Sequence, residues 1–289
     1  MKKMLLHDAI QCFLEDLEVR REKPETTLKT YRNTLGRFET FVSARGVVYI
    51  QDVMEDKHAR PYKASLNGLA DNTVRTYIMA IRSLFTFALQ KRWVKQNPFQ
   101  HIVTRSTVQR QQTIISRDQF ETILHYARNA TLYAIYLVGG DAGLRISETL
   151  ALELHHLDFR HQMILVANGK GDKARHVPMS ARLAKELSHY IEKDRPQAGN
   201  SNLVFLMPKG TPVRANFVNE DLKKIAEKHL GIELTTHQLR HSFATTVYNN
   251  MHDLMVVKEL LGHERVETTE RYLHVTREQT RKAIEGLNG

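Results

Sequence analysis

Two arginines, two lysines, three histidines and a tyrosine in the second half of the chain stand at spacings that could serve one reaction. Arg145 is followed three positions on by Glu148 in GLRISE, residues 143–148. Lys170 lies between Gly169 and Gly171, with Lys173 close behind. His237, Arg240 and His241 fall within HQLRH, and His263 follows Leu261-Gly262. Tyr272 comes nine positions after His263, in Thr269-Glu-Arg-Tyr272. Singly, each is ordinary. An arginine three positions before a glutamate makes a surface ion pair on one helical face, and a turn lysine is usually solvated. His237 and His241 have a metal-ligand spacing, but Gln238 stands where a zincin helix has glutamate, and Arg240 beside them would repel a dication.

As a set, these residue types suit phosphodiester chemistry. Arginine forks bind two non-bridging phosphate oxygens and offset the charge that grows in a pentavalent transition state. Lysine or histidine can pass a proton to a departing alkoxide. A tyrosine hydroxyl, with an unperturbed pKa of ~10, becomes a nucleophile where cations favour its phenolate. The sequence has no acidic cluster to hold magnesium, so side chains must meet the phosphate charge and no cofactor is expected. The combination argues for transesterification through a covalent phosphotyrosine.

Such a site needs elements to position it, and helices dominate. Leu6, Ile10, Phe13, Leu14 and Leu17 form one apolar stripe, ended by Pro24. A second helix capped by Thr26 or Thr27 carries Leu28, Tyr31, Leu35 and Phe38 and closes before Gly46. After an indistinct stretch from 47 to 70, Asp71 or Asn72 caps a helix whose stripe includes Val74, Ile78, Ile81 and Phe85, with Arg75 and Arg82 on the outer face. The polar, basic run 104–113 reads as a linker. Ser116 and Gln119 make a capping-box pattern, and another helix surrounds Leu132 to Val138. Residues 163–179 are the one clear β signal, two apolar runs around a Gly-Lys-Gly-Asp turn. Helices follow over 181–193, about 215–229, 236–250 and 253–261, the last capped by Gly262. The expected fold is mainly α with a small antiparallel sheet, in two domains: 1–103 and 114–289, joined by 104–113.

Composition points to a polyanionic partner. Forty-two lysines and arginines face 32 acids, a net charge of +10 with the 15 histidines neutral, which suits nucleic acid or an anionic membrane surface. Cys12 is the only cysteine, excluding an intrachain disulfide framework and a cysteine-built zinc site. The most apolar run, Leu132 to Gly140, is shorter than the ~20 residues a membrane-spanning helix needs. Asp8, Gln11, Glu15 and Asp16 interrupt any signal-peptide core, so a cytoplasmic protein is expected.

The motifs GLRISE, GKGDKARHVPM, HQLRHSFATT and LGHERVETTERYLH resemble, in order and spacing, the boxes of the tyrosine recombinase (phage integrase) family. The resemblance is strong over about 115–276, and the helical first hundred residues look like the family's SAM-like core-binding domain. It implies that Arg145 and Arg240 clamp the scissile phosphate, Lys170 protonates the leaving 5′ oxygen, with Lys173 as the fallback, and His237 serves in acid–base chemistry. His263 would hydrogen-bond the phosphate and Tyr272 would attack it, leaving a 3′-phosphotyrosyl enzyme. Glu148 and His241 would support the arginine and the histidine–arginine helix. The implied partners are duplex DNA with paired inverted-repeat sites and three further protomers, as a homotetramer or with a related recombinase. Exchange passes through a Holliday junction, and the tail 276–289 is the expected coupling element between protomers.

Candidate DNA contacts are Arg75, Arg82, Lys173, Arg175, Arg214 and Asn216, the two units closing on a duplex as a clamp. Two departures from the family pattern, Asp141 before the first motif and no proline in Thr113-Ile-Ile-Ser116, touch no catalytic position. With no arm-site-binding domain ahead of its helical region, the chain is expected to be a compact Xer-like recombinase or a transposon resolvase or integrase. A type IB topoisomerase, a non-catalytic DNA-binding relative and a metallohydrolase built on His237 and His241 are the alternatives.

Overall fold

In the computed structural model, which describes residues 3–20, 25–105, 113–167, 174–197 and 201–262, the apolar stripes become helix faces. The chain divides into two units, Met1–Arg110 and Gln111–Gly289, each with its own core. Expectations that fall on Pro24, on most of the linker, on Lys170, Lys173, His263 and Tyr272, and on the tail 276–289 lie outside the described residues.

The described part of the first unit is built on four α-helices, α1 (Leu6–Glu15), α2 (Glu25–Ser43), α3 (Arg60–Ser65) and α4 (Asp71–Gln90), with one antiparallel bridge between Leu5 and Tyr49. Phe38 of α2 is its centre, meeting Tyr62, Phe85 and Phe99 edge to face at 5.1, 6.2 and 5.4 Å between ring centroids. The stretch from 47 to 70 is not formless. It holds short turns at Ile50–Asp52 and Glu55–Ala59 and then α3, which begins at Arg60-Pro61 and buries Tyr62. Its five-residue turn before a proline breaks the helical period that a stripe needs.

Two expectations about α4 are corrected. Its N-cap is Ala70, without a side-chain cap, and Asp71 instead lies in the first turn, where a carboxylate complements the helix dipole. Arg82 does not face outward. Its Nε donates to the Phe99 carbonyl at 3.0 Å and its Nη2 to the Ile102 carbonyl at 2.7 Å. Asn97 returns the connection by donating to the Arg82 carbonyl at 3.0 Å. Arg82 therefore fastens the segment after α4 rather than offering an open charge.

The second unit opens with α5 (Arg117–His125), whose Ser116–Gln119 capping box forms as the sequence indicates. α6 (Ala130–Asp141) follows, and its run from Leu132 to Gly139 is buried except for the half-buried Tyr133, as expected of a helix apolar nearly all round. Next come α7 (Ile146–Leu150) and a three-stranded antiparallel sheet, β1 (Leu157–Asp158), β2 (Met163–Val166) and β3 (Arg175–Pro178), in that order. The hairpin register pairs Val166 with Arg175 and Ile164 with Val177. α8 (Ala181–His189), α9 (Ala215–Leu230), α10 (Thr236–Met251) and α11 (Leu254–Leu261) complete the unit. α10 packs along α6, which brings residues near 240 against those near 143.

Candidate active site

The site is organised around a buried carboxylate. α6 ends at Asp141, and the chain turns through Gly143, whose φ of +64° is left-handed. A Cβ there would lie 2.3 Å from the Phe243 ring of α10, so only glycine fits both the angle and the space. The turn makes Arg145 the extended residue preceding α7, and the Glu148 carboxylate reaches back to accept the Arg145 backbone N–H at 2.8 Å. Arg145 Nη1 donates to the same carboxylate at 2.7 Å. The Glu148 side chain is 4 % exposed, which separates this pair from a surface salt bridge.

Two more guanidinium groups converge on Glu148. Arg175 of β3 forks onto it, Nη1 to Oε1 at 3.0 Å and Nη2 to Oε2 at 2.9 Å. Arg240 of α10 approaches Oε2 at 3.5 Å. Arg240 is fully buried and donates at 2.7 Å to each of two carbonyls, Gly143 by Nη1 and Leu261 by Nη2. Burial pushes the Glu148 carboxyl up, but the hydrogen bonds from Arg175 and from the Arg145 backbone outweigh it and hold the pKa at about 2. Glu148 is thus an anion at any ordinary pH. Three guanidinium groups around one carboxylate leave the cluster with an excess of positive charge, the balance needed to receive a phosphodiester whose charge grows during reaction.

α10 also carries the histidines. The Thr235–Gln238 cap starts the helix, with Thr235 N–H donating to Gln238 Oε1 at 2.7 Å. One turn separates exposed His237 from buried His241, and their Nε2 atoms meet at 3.1 Å, so one ring donates and the other accepts. His241 thereby steadies the ring of His237. Among the described residues, no group of three or more histidine, cysteine or carboxylate side chains could hold a metal. No described helix is long and apolar enough to cross a membrane.

The structure therefore brings together Arg145, Glu148 and Arg240, and places His237 and His241 on the same helix as Arg240. Lys170 and Lys173 lie in the sequence between β2 and β3, and His263 follows Gly262, the cap of α11; these residues and Tyr272 lie outside the described residues. Arg175 is the residue whose place sequence reasoning missed. It is 13 % exposed and turned onto Glu148, not outward as a duplex contact. The signal was present: strand alternation puts Arg175 on the face of Val177, which is buried. Arg75, Arg214 and Asn216 are exposed.

Comparison with known proteins accords with this geometry. The phage integrase family model matches residues 113–279, and that of the phage integrase N-terminal SAM-like domain matches 10–92.

The chain belongs to the phage integrase family.

Among its relatives, the tyrosine recombinase XerC of Oceanobacillus iheyensis is 30% identical, across 95% of this chain and 93% of the relative. XerC of Bacillus pumilus is 29% identical, across 97% and 95%. The Tn1549 transposon integrase, solved in complex with a circular intermediate DNA, shares the fold with a TM-score of 0.79 at 21% identity, covering 98% of this chain and 99% of that one. XerH recombinase bound to a palindromic difH substrate gives 0.71 at 23% identity, covering 93% and 82%. Integrase-family membership with these relatives makes the chain a tyrosine site-specific recombinase, an enzyme of DNA recombination.

Proposed function

We propose that this recombinase exchanges strands between two duplex DNA sites, each a pair of inverted repeats, through a 3′-phosphotyrosyl intermediate. The Tyr272 hydroxyl oxygen attacks the scissile phosphorus as the P–O5′ bond breaks. His237 acts in acid–base chemistry at the phosphate, and Lys170 gives the leaving 5′ oxygen its proton. Arg145, Arg240 and His263 hold the non-bridging oxygens. The tyrosyl ester conserves a phosphodiester, so the partner strand's 5′ hydroxyl reverses the step without ATP or metal. Two rounds of exchange pass through a Holliday junction. What carries the reading is the Glu148 carboxylate, which holds Arg145 and Arg240, two arginines from distant segments, at one buried point.

The enzyme acts in the cytoplasm as a tetramer on DNA, with the tail 276–289 coupling the protomers and the 104–113 segment joining domains 1–103 and 114–289. Arg75, Lys173, Arg214 and Asn216 contact the backbone, and Arg214 and Asn216 are well suited to it because they flank the start of α9, where backbone N–H groups favour phosphate. A nicked suicide duplex tests the chemistry. Wild-type protein is expected to form a covalent adduct in EDTA and Tyr272→Phe none; an adduct with Tyr272→Phe would refute the mechanism.

A further inference from the structure

Resting on the recombinase reading above, we propose that Arg175 is a positioning residue of strand cleavage, a tie that holds three active-site segments in one arrangement. The first segment is the β2–β3 hairpin itself, since Arg175 is the first paired residue of β3, opposite Val166 at the end of β2. Lys170 lies in the sequence between these two strands. The second is the Arg145 turn, which Arg175 reaches through both oxygens of Glu148, at 3.0 and 2.9 Å. The third is the end of α11, where Arg175 Nε donates to the Leu260 carbonyl at 3.3 Å.

The α11 end is where the tie matters most. The last carbonyls of a helix have no partners within it and carry the negative end of its dipole. Here Arg175 takes the Leu260 carbonyl and Arg240 takes that of Leu261, at 2.7 Å. Two cationic side chains thus cap one helix end from two other elements. Gly262 then turns the chain with φ of +62°, and a Cβ on it would stand 2.8 Å from Arg175 Cδ and 3.0 Å from Nε and Nη1. The Gly262 backbone is pressed against the arginine itself, so Arg175 defines where the chain leaves α11. His263 comes next in the sequence, and Tyr272 nine residues later.

The chemistry of the tie requires a guanidinium. A planar fork presents parallel donors to both carboxylate oxygens and still has Nε for a third acceptor in another direction. A lysine ammonium keeps the charge but not this geometry. Arg175 therefore acts on the rate of cleavage at saturating DNA, whereas a phosphate contact would act on affinity and its salt dependence.

The test compares wild type, Arg175→Lys, Arg175→Ala and Tyr272→Phe on the suicide duplex. Single-turnover adduct formation at saturating DNA and the DNA Kd over a salt series are both measured. With Arg175→Ala, cleavage is expected to fall ~100-fold, the scale of a small misplacement of reacting groups. Arg175→Lys is expected to fall nearly as far, with the Kd and its salt slope unchanged in both. Millimolar guanidinium ion is expected to restore part of the Arg175→Ala rate. Wild-type cleavage rates in the variants would overturn the proposal. So would a salt slope shallower by ~0.9, the loss of one phosphate contact. Loss of DNA binding by both variants would also overturn it, because Arg175 would then maintain the fold as a whole. Failure of the recombinase reading is seen separately, in the wild-type and Tyr272→Phe arms alone.

Discussion

Glu148 and Arg240, 92 residues apart in the chain, are both buried and meet at 3.5 Å. The carboxylate holds like-charged guanidinium groups closer than they would otherwise settle. The cost of burying a carboxylate is offset by the hydrogen bonds it accepts from Arg145 and Arg175.

Glu148→Gln keeps the shape and removes the charge. The arginines are then left without a counter-ion in a buried site, which is expected to lower stability by about 3 kcal/mol and to depress adduct formation. Urea unfolding and the suicide-substrate assay check the two effects; an unchanged unfolding midpoint would contradict the role assigned to the carboxylate.

The same residue sets an acid dependence. Folding lowers the Glu148 pKa from 4.5 to about 2, so the unfolded chain binds the proton more readily than the folded one. Its contribution is fully present above the unfolded value and is lost as pH falls toward the folded one, and it amounts to about 3 kcal/mol. The stability gap between wild type and Glu148→Gln should therefore be constant near neutrality and narrow below about pH 4.5. Paired denaturant titrations at stepped pH measure it.

Gly143→Ala is expected to impair cleavage as well as stability. The left-handed φ costs a side chain about 1–2 kcal/mol, and the new methyl would also displace the Phe243 ring. Because the Gly143 carbonyl is an acceptor for Arg240, a shift there moves the Arg240 guanidinium. Adding Phe243→Ala should relieve the overlap but not the strain. The pair is compared by thermal unfolding and by adduct rate.

Arg75 and Arg82, seven positions apart on α4, should separate cleanly. Arg82→Ala removes two donors from the Phe99 and Ile102 carbonyls, so it is expected to cost about 1–3 kcal/mol with little change in the salt slope of DNA binding. Arg75→Ala is expected to leave stability intact and to reduce that slope by ~0.9. Unfolding and salt-dependent binding on both variants decide it.

Several features set by near neighbours in the sequence are present in the structure, although the Thr26 or Thr27 and the Asp71 or Asn72 caps are not, since α2 already includes Thr26 and the N-cap of α4 is Ala70. The Ser116 capping box, the Gly262 cap and the 163–179 hairpin depend on residues within a few positions of one another, and each is where its spacing places it. The motif residues Arg145, Glu148, His237, Arg240 and His241 were legible for the same reason: residue type and helical period name them before any fold is known. Asp71 was misread as a cap because several residues nearby could start the same helix, and the neighbouring chain selected Ala70.

The sequence by itself determined the helical stripes, the hairpin and a set of residue types suited to phosphodiester chemistry. Tertiary structure alone decided which charges turn inward. Strand alternation puts Arg175 on an inward face, but neither its acceptors nor those of Arg82 can be named along the chain, because they lie 17 to 85 residues away and exist as a site only once the elements pack. A long flexible guanidinium has no direction of its own; the nearest unsatisfied carbonyl or carboxylate gives it one.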